Sequence, residues 1–250
     1  MRIDLVTIFP EMFGALDWGI VRRAREAGLV DIRIHDLRAW TVDRHRSTDD
    51  TPYGGGPGMV MKVEPLVDAV ESLVDADLAS EERAVILLSP RGKRMRQGDV
   101  RRLAKTRQLI LVAGRYEGVD ERFLGSVEAE ELSIGDYVLS GGELPAMVVT
   151  EAVVRLIPGA ISDPLSAEQD SFTRGLLDYP HYTRPVEFRG LRVPEVLLSG
   201  NHGAIRRWRK EQALLATRDR RPELLADAEL DDEEREIRST LENLVKSSVP

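Results

Sequence analysis

Up to Ile157 this chain alternates short apolar runs with stretches of helical period, and that rhythm restricts the folds open to it. Residues 2–8 read as a buried strand. Residues 10–27 read as a helix carrying Met12, Phe13, Leu16, Ile20 and Val21, stopped by Gly28, and residues 30–35 alternate like a strand. A helix over 64–77 follows, with Leu66, Val67, Val70, Leu73 and Val74 on one face, then a strand over 84–89, a helix over 98–106 and a strand over 108–113. This order predicts an α/β fold with a mostly parallel sheet. A further helix is expected over 143–157, with Pro145 tolerated in its first turn.

The rhythm ends at Pro158. Residues 160–175 have no clean period and read as a loop or linker. Beyond Pro194 the chain reads as helical, with segments over 195–199, 201–218, 222–228 and 231–246. The expected organisation is a parallel-sheet domain over 1–160, a flexible linker over 161–175 and a small all-helical domain over 176–250.

Composition removes several chemistries. With no cysteine, disulfides and thiolate metal sites are excluded, and four histidines without a close pair argue against zinc. The start, MRIDLVTIFPEMF, lacks a basic segment followed by a long apolar core, and apolar runs such as 84–88 are far too short to span a bilayer. A cytoplasmic protein without membrane association is expected.

The net charge of −8 argues mildly against a nucleic-acid partner, but the distribution matters more than the sum. Residues 91–107 hold eight Lys/Arg against one acid, Asp99, and residues 206–221 hold seven against Glu211 and Asp219. Acids concentrate over 223–242. Such basic runs permit an RNA partner, although solvated helix faces have the same look.

Four segments carry more than structure requires. Thr51 to Met59, TPYGGGPGM, packs glycines and prolines into a bent run whose amides can approach a ligand, with Tyr53 beside them; it is not a P-loop, and its plain reading is a tight surface loop. AGRYEGVD, from Ala113, follows an apolar strand and sets Arg115, Glu117 and Asp120 at a sheet edge, where open α/β sheets bind ligands. SIGDYVLSGGELP, from Ser133, flanks Tyr137 and Leu139 with glycines, which suits an adenine ring between aliphatic walls but also a hairpin. Finally, DSFTRGLLDYPHYTRP, from Asp170, places Asp170, Asp178, His181, Tyr182 and Arg184 in a stretch too rich in acids and aromatics for a spacer.

In combination and order these segments reach a resemblance. FPEMF, YGGGPGM, LSPRG, GRYEG, SIGDYVLSGGE, LLDYPHYTRP and GNH…I…WR, running collinearly from residue 1 to about Arg209, resemble the bacterial tRNA (guanine-N1)-methyltransferase family, TrmD. The resemblance implies a SPOUT-type fold with a deep trefoil knot, which periodicity cannot predict because knots are nearly absent from proteins. It implies S-adenosylmethionine (AdoMet) as methyl donor, held by Ser89, Pro90, Gly114, Arg115, Tyr116, Glu117, Ile134, Gly135, Tyr137, Leu139, Gly141, Gly142 and Pro145. It implies a homodimer whose sites draw on both subunits, and Mg2+ as a further cofactor with no ligands assignable here.

The implied substrate is tRNA, held through its anticodon arm, and the implied target is N1 of the guanosine 3′ of the anticodon, position 37. Guanine N1 carries a proton, so a base must remove it as the methyl arrives. Asp170 matches the family's general base, and Arg155 the arginine that stabilises charge building on O6. A carboxylate with an ordinary pKa of about 3.9 is a weak base for this task and cannot act alone. Tyr53, Asp178, His181, Asn201, His202, Arg206 and Arg209 are expected on the tRNA side, whereas Trp208 reads equally well as a core residue. A related knotted enzyme that methylates ribose 2′-OH and a catalytically silent RNA-binding protein are the alternatives.

Overall fold

The computed structural model describes residues 1–161 and 170–247. Most of the linker expected over 161–175, residues 162–169, therefore lies outside the described residues. The chain divides into two compact units, Met1–Pro164 and Leu165–Pro250.

The first unit is built on a five-stranded parallel sheet in the order β2-β1-β6-β5-β7. Its strands are β1 (Arg2–Thr7), β2 (Asp31–Asp36), β5 (Arg83–Arg94), β6 (Gln108–Ala113) and β7 (Ala129–Ser133). Two-residue strands β3 (Asp49–Asp50) and β4 (Val60–Met61) pair separately. Central strands are buried on both faces, which is why they read as near-continuous apolar runs. Ile3, Leu5, Ile86, Leu88, Leu109 and Leu111 face one core, closed by α1 (Gly19–Glu26), α3 (Gln97–Leu103) and α5 (Glu143–Val154). Val6, Val85, Leu87, Ile110 and Val112 face the other, closed by α2 (Val63–Leu73) and by Phe123 of α4 (Arg122–Ser126). Truncating any of these fully buried leucines to alanine would cost about 2–5 kcal/mol.

The first unit departs from expectation in several places. The single helix expected over 10–27 is a 3-10 segment, Pro10–Asp17, followed by α1, because Gly19 takes φ +65 and breaks the helical path. Strand β7 gives no strand signal in sequence: AEELS carries two acids, and it sits at the sheet edge where one flank faces water. The helix expected over 143–157 ends at Val154, leaving Arg155 as its C-cap.

β5 also outruns its apolar core. Leu88 and Lys93 both align with Leu132 of β7, so residues 89–92 form an excursion from the ladder. Gly92 lets it fold back, since a Cβ there would lie 2.5 Å from the Glu131 carbonyl carbon. The excursion displays Ser89 and Pro90 at the carboxyl edge of the sheet.

The second unit is not wholly helical. β8 (Glu187–Phe188) and β9 (Leu191–Arg192) form a small hairpin closed by Arg189 and Gly190, both at positive φ. Two left-handed residues in succession give the tight turn that matches strand twist. Helices α6 (Glu195–Leu198), α7 (His202–Arg220) and α8 (Asp232–Ser247) follow, with a 3-10 segment, Pro222–Ala226, before α8. Leu176, Leu214 and Ile237 form their small core.

Candidate active site

The carboxyl edge of the sheet forms a cleft of about 270 Å³. Three loops wall it: the β5 excursion, the loop after β6 and the loop between β7 and α5. All thirteen residues assigned to the cofactor by resemblance, from Ser89 to Pro145, line this one cleft. Residues outside that assignment line it too, among them Glu121, Glu131, Val138 and Ser140. Glu121 has a sequence signal, because it directly follows GRYEGVD.

The loops are tied by backbone as well as side chains. The Gly142 N–H donates to the Gly114 carbonyl at 2.8 Å, and Arg115 bridges to Gly141. Gly142 must be glycine for this approach: a Cβ would lie 2.7 Å from the Ala113 Cα. Tyr116 holds φ 61, an uncommon conformation for a bulky residue. Burial and the nearby Asp49 carboxylate push its phenol above the ordinary value.

Beneath the loops lies a buried polar chain whose pairing no single motif marks. Glu143, fully buried at the start of α5, accepts from Thr7 Oγ1 at 2.8 Å and from Arg115 Nε at 2.9 Å. The Arg115 guanidinium also lies 4.5 Å over the Phe9 ring and donates to the Ser140 carbonyl. Arg115 is thus turned at least partly toward the scaffold. It joins the end of β1, the GRYEG loop and the SGG loop in one network.

The YGGGPGM segment runs along the same edge. The Glu117 N–H donates to the Met59 carbonyl at 3.0 Å, and a Cβ on Gly58 would strike the Glu117 side chain. Tyr53 at its tip is fully exposed and does not line the cleft. Arg155 is half-buried at the end of α5.

A second cavity, about 240 Å³, lies within the second unit. Asp170, Asp178, Arg206 and Arg209 line it with Tyr179. His181 Nε2 sits 2.8 Å from Asp178, and its ring packs 4.7 Å from Tyr179. Asn201 and His202 stand apart from this cavity. Asn201 is the N-cap of α7, its side chain accepting the Ala204 N–H at 3.1 Å, and His202 is the exposed first residue of the helix. Half-buried Trp208 packs 6.3 Å from Tyr182.

The basic run over 91–107 is largely answered by acids. Arg91 pairs with Glu121, Lys93 with Asp99, Arg94 with Asp136, Arg102 with Glu130 and Arg107 with Glu82, all within 3.2 Å. Among the described residues no group of three or more His, Cys, Asp or Glu could hold a metal ion. Nor is any described helix long and apolar enough to cross a membrane.

Residues 1–227 match the family model described as tRNA (Guanine-1)-methyltransferase TrmD. The chain belongs to this family. A tRNA (guanine-N(1)-)-methyltransferase of Moorella thermoacetica is 55% identical over 236 residues, 94% of each chain. One from Pseudomonas fluorescens is 55% identical over 239 residues, 95% of this chain and 94% of its own. One from Dictyoglomus turgidum is 51% identical over 250 residues, the whole of both. The TrmD family match covers the sheet, the three cleft loops and every residue lining the cavity around Asp170 except Glu234. The acidic α8, by contrast, lies beyond it.

Proposed function

We propose that this TrmD-family chain is a cytoplasmic enzyme that transfers a methyl group from AdoMet to N1 of guanosine 37 in tRNA, next to the anticodon. The observation that carries this reading is the convergence of all three family loops on one cleft at the carboxyl edge of a parallel sheet. AdoMet fits it by chemistry. Backbone groups at Gly114 and around Gly141 can serve the base and the amino-acid moiety, while Leu87, Leu88, Ile134 and Leu139 give aliphatic walls. When bound, AdoMet supplies an electrophilic methyl on sulfonium sulfur.

The protein's part is to present guanine N1 and remove its proton. Asp170 accepts that proton as the N1–methyl bond forms, and Arg155 offsets the charge that would build on O6. Asp178 and His181 orient the base, which must leave its stack to be reached. Mg2+ is implied by the family resemblance alone.

The trefoil knot belongs to the same reading. It is supported by the return of residues 134–142 against the end of β6, where Gly142 lies in backbone contact with Gly114. A homodimer with sites shared between subunits is supported by apolar exposure on adjoining elements. Trp18 is 71% exposed, Leu144 49% and Val148 44%, and Phe9, just before the 3-10 segment, and Met12, on it, are exposed as well. The two-part organisation, cofactor domain and tRNA-binding domain joined through the linker, is part of this proposal.

Incubating the protein with AdoMet and unmodified tRNA, then identifying the nucleoside by mass spectrometry, tests the assignment. N1-methylguanosine is expected. A ribose-methylated product would favour the 2′-O-methyltransferase alternative, and no product the silent RNA-binding one.

A further inference from the structure

Helix α7 sets Arg206, Arg207, Arg209 and Lys210 close together, and acids at the start of α8 pair with only two of them. Lys210 Nζ lies 2.8 Å from Asp231 and 2.7 Å from Glu233. Arg207 lies 3.5 Å from Glu233 and 3.5 Å from Glu236. These acids come from the first turns of α8 and the residue before it. Burial alone would lower the Lys210 ammonium, but hydrogen bonds to Asp231 and Glu233 outweigh it and raise it.

Arg206 and Arg209 each sit one residue earlier, and Lys210, about 40° around the helix from Arg206, lines the same cavity as both. Among the described residues no carboxylate forms an ion pair with either. Both line the cavity that holds Asp170 and Asp178, and the Arg209 guanidinium lies 4.9 Å over the Tyr179 ring. Tyr179 in turn packs on His181. Unpaired cations beside stacked rings are what single-stranded RNA requires, phosphates meeting the first and bases the second. Arg207 and Lys210 are held by acids instead, so a phosphate approaching them would meet the carboxylates of α8.

We propose that the acidic start of α8 is an electrostatic guard: it neutralises Arg207 and Lys210 of α7, so that the RNA backbone engages only Arg206 and Arg209 beside Asp170. The inference rests on the tRNA reading and gives the acidic tail a role in it. A carboxylate about 3 Å from a cation cancels most of its field within one screening length, about 8 Å at physiological salt. Phosphate attraction is then confined to cations that lack such a partner.

Binding of unmodified tRNA across a salt series tests this with variants of a single helix and its acidic neighbour. R206A/R209A should weaken binding about tenfold or more and lower the salt slope by about 2, one for each phosphate no longer neutralised. R207A should bind as the wild type does. E233Q/E236Q should bind an unrelated RNA hairpin more tightly, narrowing its preference for tRNA. Equal losses in R207A and R206A/R209A, or unchanged selectivity in E233Q/E236Q, would overturn the guard. Methylation assayed in the same samples separates the two readings, since absent product from the wild type would count against the enzyme assignment itself.

Discussion

Arg115 Nε lies 2.9 Å from Oε2 of Glu143, a carboxylate with no exposed surface at all. The pair joins the loop after β6 to the helix that follows the SGG loop, and Thr7 completes the carboxylate's shell. Breaking a buried pair by removing one partner leaves an unpaired charge and costs about 3–5 kcal/mol. Glu143→Ala should therefore lower the melting temperature and also weaken AdoMet binding, because two walls of the cleft lose their common anchor. Glu143→Gln, which keeps the shape, should lose less of both. Calorimetric AdoMet titration and thermal melting of the two variants check this; unchanged cofactor affinity in Glu143→Ala would reduce the network to a stability role.

Asp170 lines the cavity of the second unit, not the loop cleft. Asp170→Ala should nearly abolish turnover while AdoMet affinity stays at the wild-type value. A large loss of cofactor binding in calorimetry would assign it a different role.

Gly142→Val should show the converse pattern. With its Cβ 2.7 Å from the Ala113 Cα, any side chain forces two backbones apart, so cofactor binding fails first. Far-ultraviolet circular dichroism distinguishes a distorted cleft from an unfolded chain.

If each site draws on both subunits, mixing Asp170→Ala with the Gly142 variant should restore activity, since one heterodimer site receives an intact cleft and an intact aspartate. Steady-state assays of co-refolded mixtures measure it. No recovery, with heterodimers present and the Gly142 variant folded, would show that the sites are not shared.

Acid stability should depend on Asp4. Burial alone would raise its carboxyl, but hydrogen bonds from His35, Gln108 and Arg2 outweigh burial and hold it below the ordinary 3.8. Because the folded value is depressed, the unfolded chain binds the extra proton. The stabilisation is complete above the unfolded value and is lost as pH falls through the folded one. Denaturant midpoints between about pH 5 and about pH 3 should fall for the wild type and fall less steeply for Asp4→Asn.

Much of the first unit is legible in the sequence because its signals are local. Residues 84–88 and 108–113 read as buried strands from composition alone, since both faces of each meet a core. β7 does not, because Glu130 and Glu131 disguise a strand whose place is set by β5. Helix breakage at Gly19 turns on one positive φ. Motif order identifies the cleft residues, but it does not reach Glu143 and Thr7 as partners. They lie 136 positions apart and carry no shared motif, so only the fold makes them neighbours.

By itself, then, the sequence determined an α/β architecture with parallel strands, membership of a methyltransferase family, and a chemistry without thiols or disulfides. Each follows from periodicity, composition or motif order, which a chain displays without being folded. Tertiary structure decided which charges remain available. The basic run over 91–107 is mostly paired, and the run over 206–221 is divided between cations answered by acids, such as Lys210, and cations beside Asp170 that form no ion pair among the described residues. Charge is a property of residues, but its cancellation depends on distances of about 3 Å between groups far apart in the chain, and only folding sets those.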